Sequence, residues 1–143
     1  MQKINQSYIN SLVKKALNED LKPRGDITTN LITFKKQKSI AKIIAKQNGI
    51  IAGLNFCKTA FKLIGRETVF ISKVKDGSKV KKNKVIAVIK AKTKNILKAE
   101  RTGLNFLNHA SGIASLTNKY VNKVNKKTKI CCTRKTTPNL RFL

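Results

Sequence analysis

The chain has 143 residues, 41% of them apolar, which is long enough for one domain with a real core and too apolar for wholesale disorder. No run of 18 apolar residues is present to cross a bilayer, and residues 1–15 lack the apolar stretch and small-residue cleavage site of a secretory signal. Three cysteines in no disulfide or zinc spacing fit a reduced, cytoplasmic protein.

Charge is lopsided: 32 Lys and Arg face 6 acids, a formal net charge of +26. Such a field attracts any polyanion, nucleic acid included. Yet only five of the basic residues are arginine, the side chain that forks onto a phosphate or base edge. Aromatic residues do not interleave with the lysines as a base-stacking surface requires. Composition therefore predicts solvated lysine faces, with weak and sequence-independent polyanion binding as a by-product.

The first element in chain order is an amphipathic helix over residues 7–18, with Ile9, Leu12, Val13, Ala16 and Leu17 on one stripe. Pro23-Arg24-Gly25-Asp26 ends it in a turn. A strand is predicted over residues 40–46, and Asn48-Gly49 reads as a hairpin turn into Ile50-Ile51. Helical spacing returns through Leu54, Cys57, Phe61 and Ile64. A β-rich block follows over residues 68–74, at Val80 and over residues 85–91, with turns at Asp76-Gly77 and Lys82-Asn83. Residues 93–97 add a short strand. A long helix then runs from about Ala99 to Val124, and residues 129–133 form a strand entering the polar loop Arg134-Lys135-Thr136-Thr137-Pro138. The boundary falls near Arg101 to Leu104, dividing the chain into residues 1–103 and 104–143.

A strand running into Arg134 and Lys135 places two cations where α/β barrels hold their active sites, at the carboxyl end of a parallel strand. Thr133, Thr136 and Thr137 supply hydroxyls beside them, suiting an anion pocket. The bland reading is a charged surface loop; the scarcity of arginine in this chain favours a selected role for Arg134. For Arg101 the bland reading is a helix-start pair with Glu100 on a solvated face. His109, the single histidine, sits mid-helix and suits a packing or surface role. Cys131 and Cys132 alternate across the strand, so one of them should be core.

Two segments in order carry a resemblance. Glu100-Arg101-Thr102-Gly103-Leu104-Asn105-Phe106-Leu107 leads into Ser111-Gly112-Ile113-Ala114-Ser115-Leu116-Thr117, and Thr133-Arg134-Lys135-Thr136-Thr137-Pro138-Asn139-Leu140-Arg141 follows. With Ala16-Leu17, Glu19-Asp20, Gly25-Asp26-Ile27-Thr28-Thr29, Gly49-Ile50-Ile51-Ala52-Gly53-Leu54 and Asp76-Gly77, the sequence resembles quinolinate phosphoribosyltransferases over nearly its whole length. Cys132 departs from the acid usual before the Thr-Arg-Lys motif, and Asn139 stands where glycine is frequent.

The resemblance implies an α+β N-terminal domain, a β-rich hammerhead-like sandwich with flanking helices, over residues 1–103. The first helix and strand of an α/β barrel would occupy residues 104–143. It implies an enzyme of NAD biosynthesis that joins quinolinate to phosphoribosyl pyrophosphate, with Mg²⁺, giving nicotinate mononucleotide, pyrophosphate and CO₂. Thr133, Arg134 and Lys135 would bind substrate in their own subunit, and Arg101 would complete the site of the partner in a homodimer. No catalytic nucleophile is expected within these residues. A barrel needs roughly 200 residues, so the sequence is expected to be a fragment, a frameshifted remnant or one part of a split protein, inactive alone. Two other classes stay open: a related molybdenum-transport-associated pyrophosphorylase-like protein, and a non-enzyme, either a basic nucleic-acid-binding module or a lipoyl-like carrier.

Overall fold

The computed structural model describes residues 4–23, 25–32, 37–124, 127–133 and 135. Helix α1 (Gln6–Leu21) begins at Asn5, whose side chain accepts a hydrogen bond from Ser7 N at 2.8 Å. It buries Ile9, Val13 and Leu17, one residue per turn on one face, and ends a turn later than the sequence pattern suggested, just before Pro23. That last turn holds Glu19 and Asp20. Carboxylates there face unpaired helix carbonyls, an arrangement disfavoured by about 0.3–1 kcal/mol each.

The short helix α2 (Ile27–Ile32) is absent from the sequence reading, because six residues are too few to establish a period. Asp26 creates it. Its Oδ1 accepts from Thr29 N at 2.9 Å, and its Oδ2 accepts from the Thr29 hydroxyl. The hydroxyl bond, then the backbone bond, then nearby Lys98 and Arg101 hold this carboxyl below its ordinary value of 3.8.

Strands β1 (Lys38–Ile44), β3 (Val69–Ser72) and β5 (Val85–Lys92) form an antiparallel sheet in the order β1-β5-β3, in which β2 (Gly49–Ile50) has no part. Ala41 and Phe70 both pair with Ile89, so Ala41, Ile43, Phe70, Ala87, Ile89 and Ala91 share the inner face. The outer face mixes exposed Ile40, Val69 and Ile71 with Lys42 and Lys90.

Asn48-Gly49 does not make the expected hairpin: β2 pairs with β4 (Lys79–Val80) instead of β1. The Asn48 side chain accepts from Lys82 N at 2.9 Å, tying this bend to the turn at residues 81–84. Long-range pairing of β1 with β5 packs Ile43 against the core and buries Ile89, and that packing outweighs local turn preference.

Helix α3 (Leu54–Ile64) occupies the predicted segment and packs on α4 (Thr93–Val121). The strand expected over residues 93–97 is instead the first turns of α4. Ile96, Ala99, Gly103, Leu107 and Ala110 extend one buried stripe back to the end of β5, and helical continuation lets Ile96 join the core. Two glycines permit the close approach. A Cβ on Gly103 would lie 3.1 Å from Phe61 Cε2; one on Gly53, where φ is +89°, would lie 3.1 Å from Ala110 Cβ. A second cluster joins Ile9, Val13 and Leu17 to Phe56 and Ala60, and Phe56 stacks on Phe106 at 5.3 Å.

The free edge of β2 meets α4. Ser115 Oγ accepts from Ile50 N at 2.8 Å, and Ser111 Oγ accepts from Ala52 N at 3.0 Å while donating to Ala52 O at 3.1 Å. Beyond α4, the described residues 127–133 are irregular and join neither sheet, so the strand expected there is not formed. Cys131 and Cys132 are both exposed, so neither is core. Among the described residues no helix is long and apolar enough to cross a membrane.

Candidate functional site

Arg101 projects from the outer face of α4, two turns into the helix. Its Nη1 donates to Asp20 Oδ1 at 3.0 Å, and the two side chains are 76% and 21% exposed. The Glu100 partner suggested by sequence proximity is not used: adjacent helical residues point about 100° apart and do not face each other. One turn earlier Lys98 Nζ donates to Asn30 Oδ1 at 2.7 Å, so α1, α2 and α4 are tied together around Arg101.

Acids are the informative residues in so basic a chain. Four of the six have defined work: Asp20 on Arg101, Asp26 on Thr29, Glu67 on Lys92 at 3.0 Å, and Asp76 accepting from Leu54 N at 3.0 Å to cap α3. Asp20 and Glu19 were part of the resemblance but had no assigned role. The signal that could have found Asp20 is a carboxylate in the closing turn of a helix, where lysine is electrostatically better and abundantly available.

Thr133 and Lys135 are exposed in the irregular segment after α4. Arg134, together with Thr136, Thr137, Pro138 and Asn139, lies outside the described residues. The partner of Arg101 is Asp20; among the described residues, then, no hydrogen bond or ion pair joins Arg101 to Thr133 or Lys135.

Two hollows adjoin α4. A cleft of about 600 Å³ under β1 is walled by Ala41, Ile43, Ile51, Leu104 and Leu107, and its described lining includes none of Arg101, Thr133 and Lys135. A groove of about 730 Å³ between α1 and α4 is lined by Glu19, Asp20, Asn105, Phe106, Asn108 and His109, and it shares Asp20 with Arg101. Exposed His109 sits at a groove wall, in keeping with the surface role its mid-helix position suggested. Burial pushes the Cys57 thiol up to about 12, which leaves it protonated and inert as a nucleophile. Among the described residues no three His, Cys, Asp or Glu side chains converge to hold a metal.

A three-stranded antiparallel sheet packed on α3 and the first half of the long helix α4, with α1 packed on both, defines an α+β domain of the sandwich type. The family model described as quinolinate phosphoribosyl transferase, N-terminal domain, matches residues 26–111, and the model of the C-terminal domain matches residues 113–143. The chain belongs to the quinolinate phosphoribosyl transferase family. It is 40% identical over 136 residues to a probable nicotinate-nucleotide pyrophosphorylase of Bacillus subtilis, covering 92% of this chain and 46% of that protein. It is 38% identical over 138 residues to the corresponding protein of Methanocaldococcus jannaschii, covering 94% and 47%. The crystal structure of NadC from Streptococcus pyogenes superposes with a TM-score of 0.94 at 34% identity, over 99% of this chain and 50% of that one. A nicotinate-nucleotide pyrophosphorylase structure from Francisella tularensis gives 0.89 at 33%, over 96% and 49%. The chain thus spans about half the length of the relatives it matches.

Proposed function

We propose that this chain forms the N-terminal half of a cytoplasmic, homodimeric quinolinate phosphoribosyltransferase of NAD biosynthesis. Quinolinate carries two carboxylates, and phosphoribosyl pyrophosphate arrives as its Mg²⁺ complex, so both substrates call for fixed cations. Arg134 and Lys135 take quinolinate carboxylates, Thr133 assists through its hydroxyl or backbone, and Arg101 reaches the site of the partner subunit.

In the reaction the pyridine nitrogen attacks the ribose anomeric carbon while the bond to pyrophosphate breaks, and pyrophosphate leaves with the electron pair. The ring nitrogen is now cationic. The bond from the ring to the adjacent carboxylate then breaks, CO₂ leaves, and the electron pair stays on a ring carbon stabilised by that charge before it takes a proton. The side chains named here position the substrates and balance charge; they form no covalent intermediate. Weak polyanion binding accompanies the lysine surface and fades as salt rises from about 50 to 200 mM.

The observation that carries this reading is Arg101: exposed, held from its own side by Asp20, and without a bond to Thr133 or Lys135. The test uses the chain joined to a relative's C-terminal half. Arg101→Ala and Arg134→Ala should each lower turnover on the order of a hundredfold. Mixing the two inactive proteins with subunit exchange makes half the dimers mixed, and one site in each mixed dimer carries neither lesion. Activity should return to about a quarter of wild type. No recovery after demonstrated exchange would mean that both arginines serve one subunit's site.

A further inference from the structure

Asp20 occupies a poor place for an acid. It lies in the last turn of α1, against the negative end of the helix, in a chain whose basic residues outnumber its acids 32 to 6. A local choice that opposes helix electrostatics signals a tertiary demand. The demand is met at Arg101 Nη1, 3.0 Å away. Asp20 is the less exposed partner, on a helix fixed by Ile9, Val13 and Leu17, so the carboxylate is the anchor and the guanidinium is the presented end.

The atom used matters. A bond through Nη1 leaves the opposite edge, Nε with Nη2, free of partners among the described residues. That edge is the fork that grips a carboxylate through two parallel hydrogen bonds. The Arg101 charge contributes, after the Thr29 bonds and Lys98, to holding the Asp26 carboxyl below its ordinary value. Arginine rather than lysine is required for such an arrangement, because an ammonium has no second edge to offer.

We infer that Asp20 is a positioning residue that holds Arg101 by Nη1 and turns its Nε–Nη2 edge outward to a planar carboxylate of the substrate. The inference rests on the proposed role of Arg101 in quinolinate binding. It adds the group that sets the direction of that contact.

Two measurements test it. In the 143-residue chain, an anchored guanidinium rotates slowly, so arginine side-chain NMR at low temperature should resolve separate Nη signals for Arg101, assigned by their loss in Arg101→Lys. Asp20→Asn should merge them, and Asp20→Glu should keep them apart. In the active dimer carrying a relative's C-terminal half, Asp20→Asn should raise KM for quinolinate about tenfold, with kcat and KM for phosphoribosyl pyrophosphate little changed. Asp20→Glu should recover most of that loss. Merged Nη signals in the wild-type chain would overturn the positioning role, as would an unchanged quinolinate KM in Asp20→Asn beside a crippled Arg101→Ala; the functional reading would survive either result. Full activity in Arg101→Ala would remove both.

Discussion

Helix α4 is one continuous element with two unlike halves. Its first half buries Ile96, Ala99, Thr102, Gly103, Leu107 and Ala110 against the sheet, α3 and α1. Its second half exposes Ile113, Leu116, Tyr120 and Val121, each about half accessible to solvent. Ile113, Leu116 and Tyr120 recur at spacings of three and four, as on a packed face, yet no described segment covers them. The change comes where the two family models meet, at residues 111–113. A helix can thus be continuous in backbone while two family models meet within it, and backbone regularity alone does not mark where they meet.

The largest contrast is in activity. The 143 residues alone should form no nicotinate mononucleotide from quinolinate, whereas the same residues ahead of a relative's C-terminal half should turn over. Product formed by the purified 143-residue chain would show that the first half of α4 and its sheet suffice, and the contrast would collapse.

Stability should divide along the same helix. Phe61, which packs on Gly103 in the first half, is 2% exposed, and Phe61→Ala should cost about 3–5 kcal/mol in urea unfolding. Leu116→Ala, on the open half, should stay within about 0.5 kcal/mol in the same chain. Equal losses at the two positions would mean that the second half is packed in solution.

A smaller effect belongs to Asp26 at the α2 cap. Removing its side chain in Asp26→Ala should cost about 0.5–2 kcal/mol at neutral pH. Its folded carboxyl lies below the ordinary 3.8, so the stabilisation is present in full above that value and is lost as pH falls through the lower folded one. The stability difference between wild type and Asp26→Ala, measured by thermal melts from pH 6 to pH 2, should therefore shrink only below about pH 4. A difference that is flat down to pH 2 would assign the effect to something other than the ionised cap.

Much of the fold was legible where hydrophobic period and length agree. Leu54–Ile64 is long enough for three turns and carries its stripe at Leu54, Cys57 and Phe61, so its bounds could be read directly. Residues 93–97 were misread because Thr93 and Ile96 are β-branched, while the deciding fact, a stripe continuing to Ala110, lies downstream. The hairpin at Asn48-Gly49 failed because a two-residue signal says nothing about which distant strand will arrive. Of the candidate site, Arg101 was singled out by its motif, and Thr133 and Lys135 are exposed after α4. Asp20 was not assigned a role, because its meaning depends on a partner 81 residues away.

The pair Ser111 and Ser115 has a consequence for association. A two-stranded sheet with an open edge is a template on which a second chain can add a strand, and aggregation begins that way. Here a helix stands in for the missing strand: the Ser111 hydroxyl both accepts from Ala52 N and donates to Ala52 O, as a backbone neighbour would. Ser115 makes the matching bond to Ile50 N one turn later. The edge is thereby closed with two hydroxyls four residues apart, and the chain is protected against recruiting its own copies at that strand.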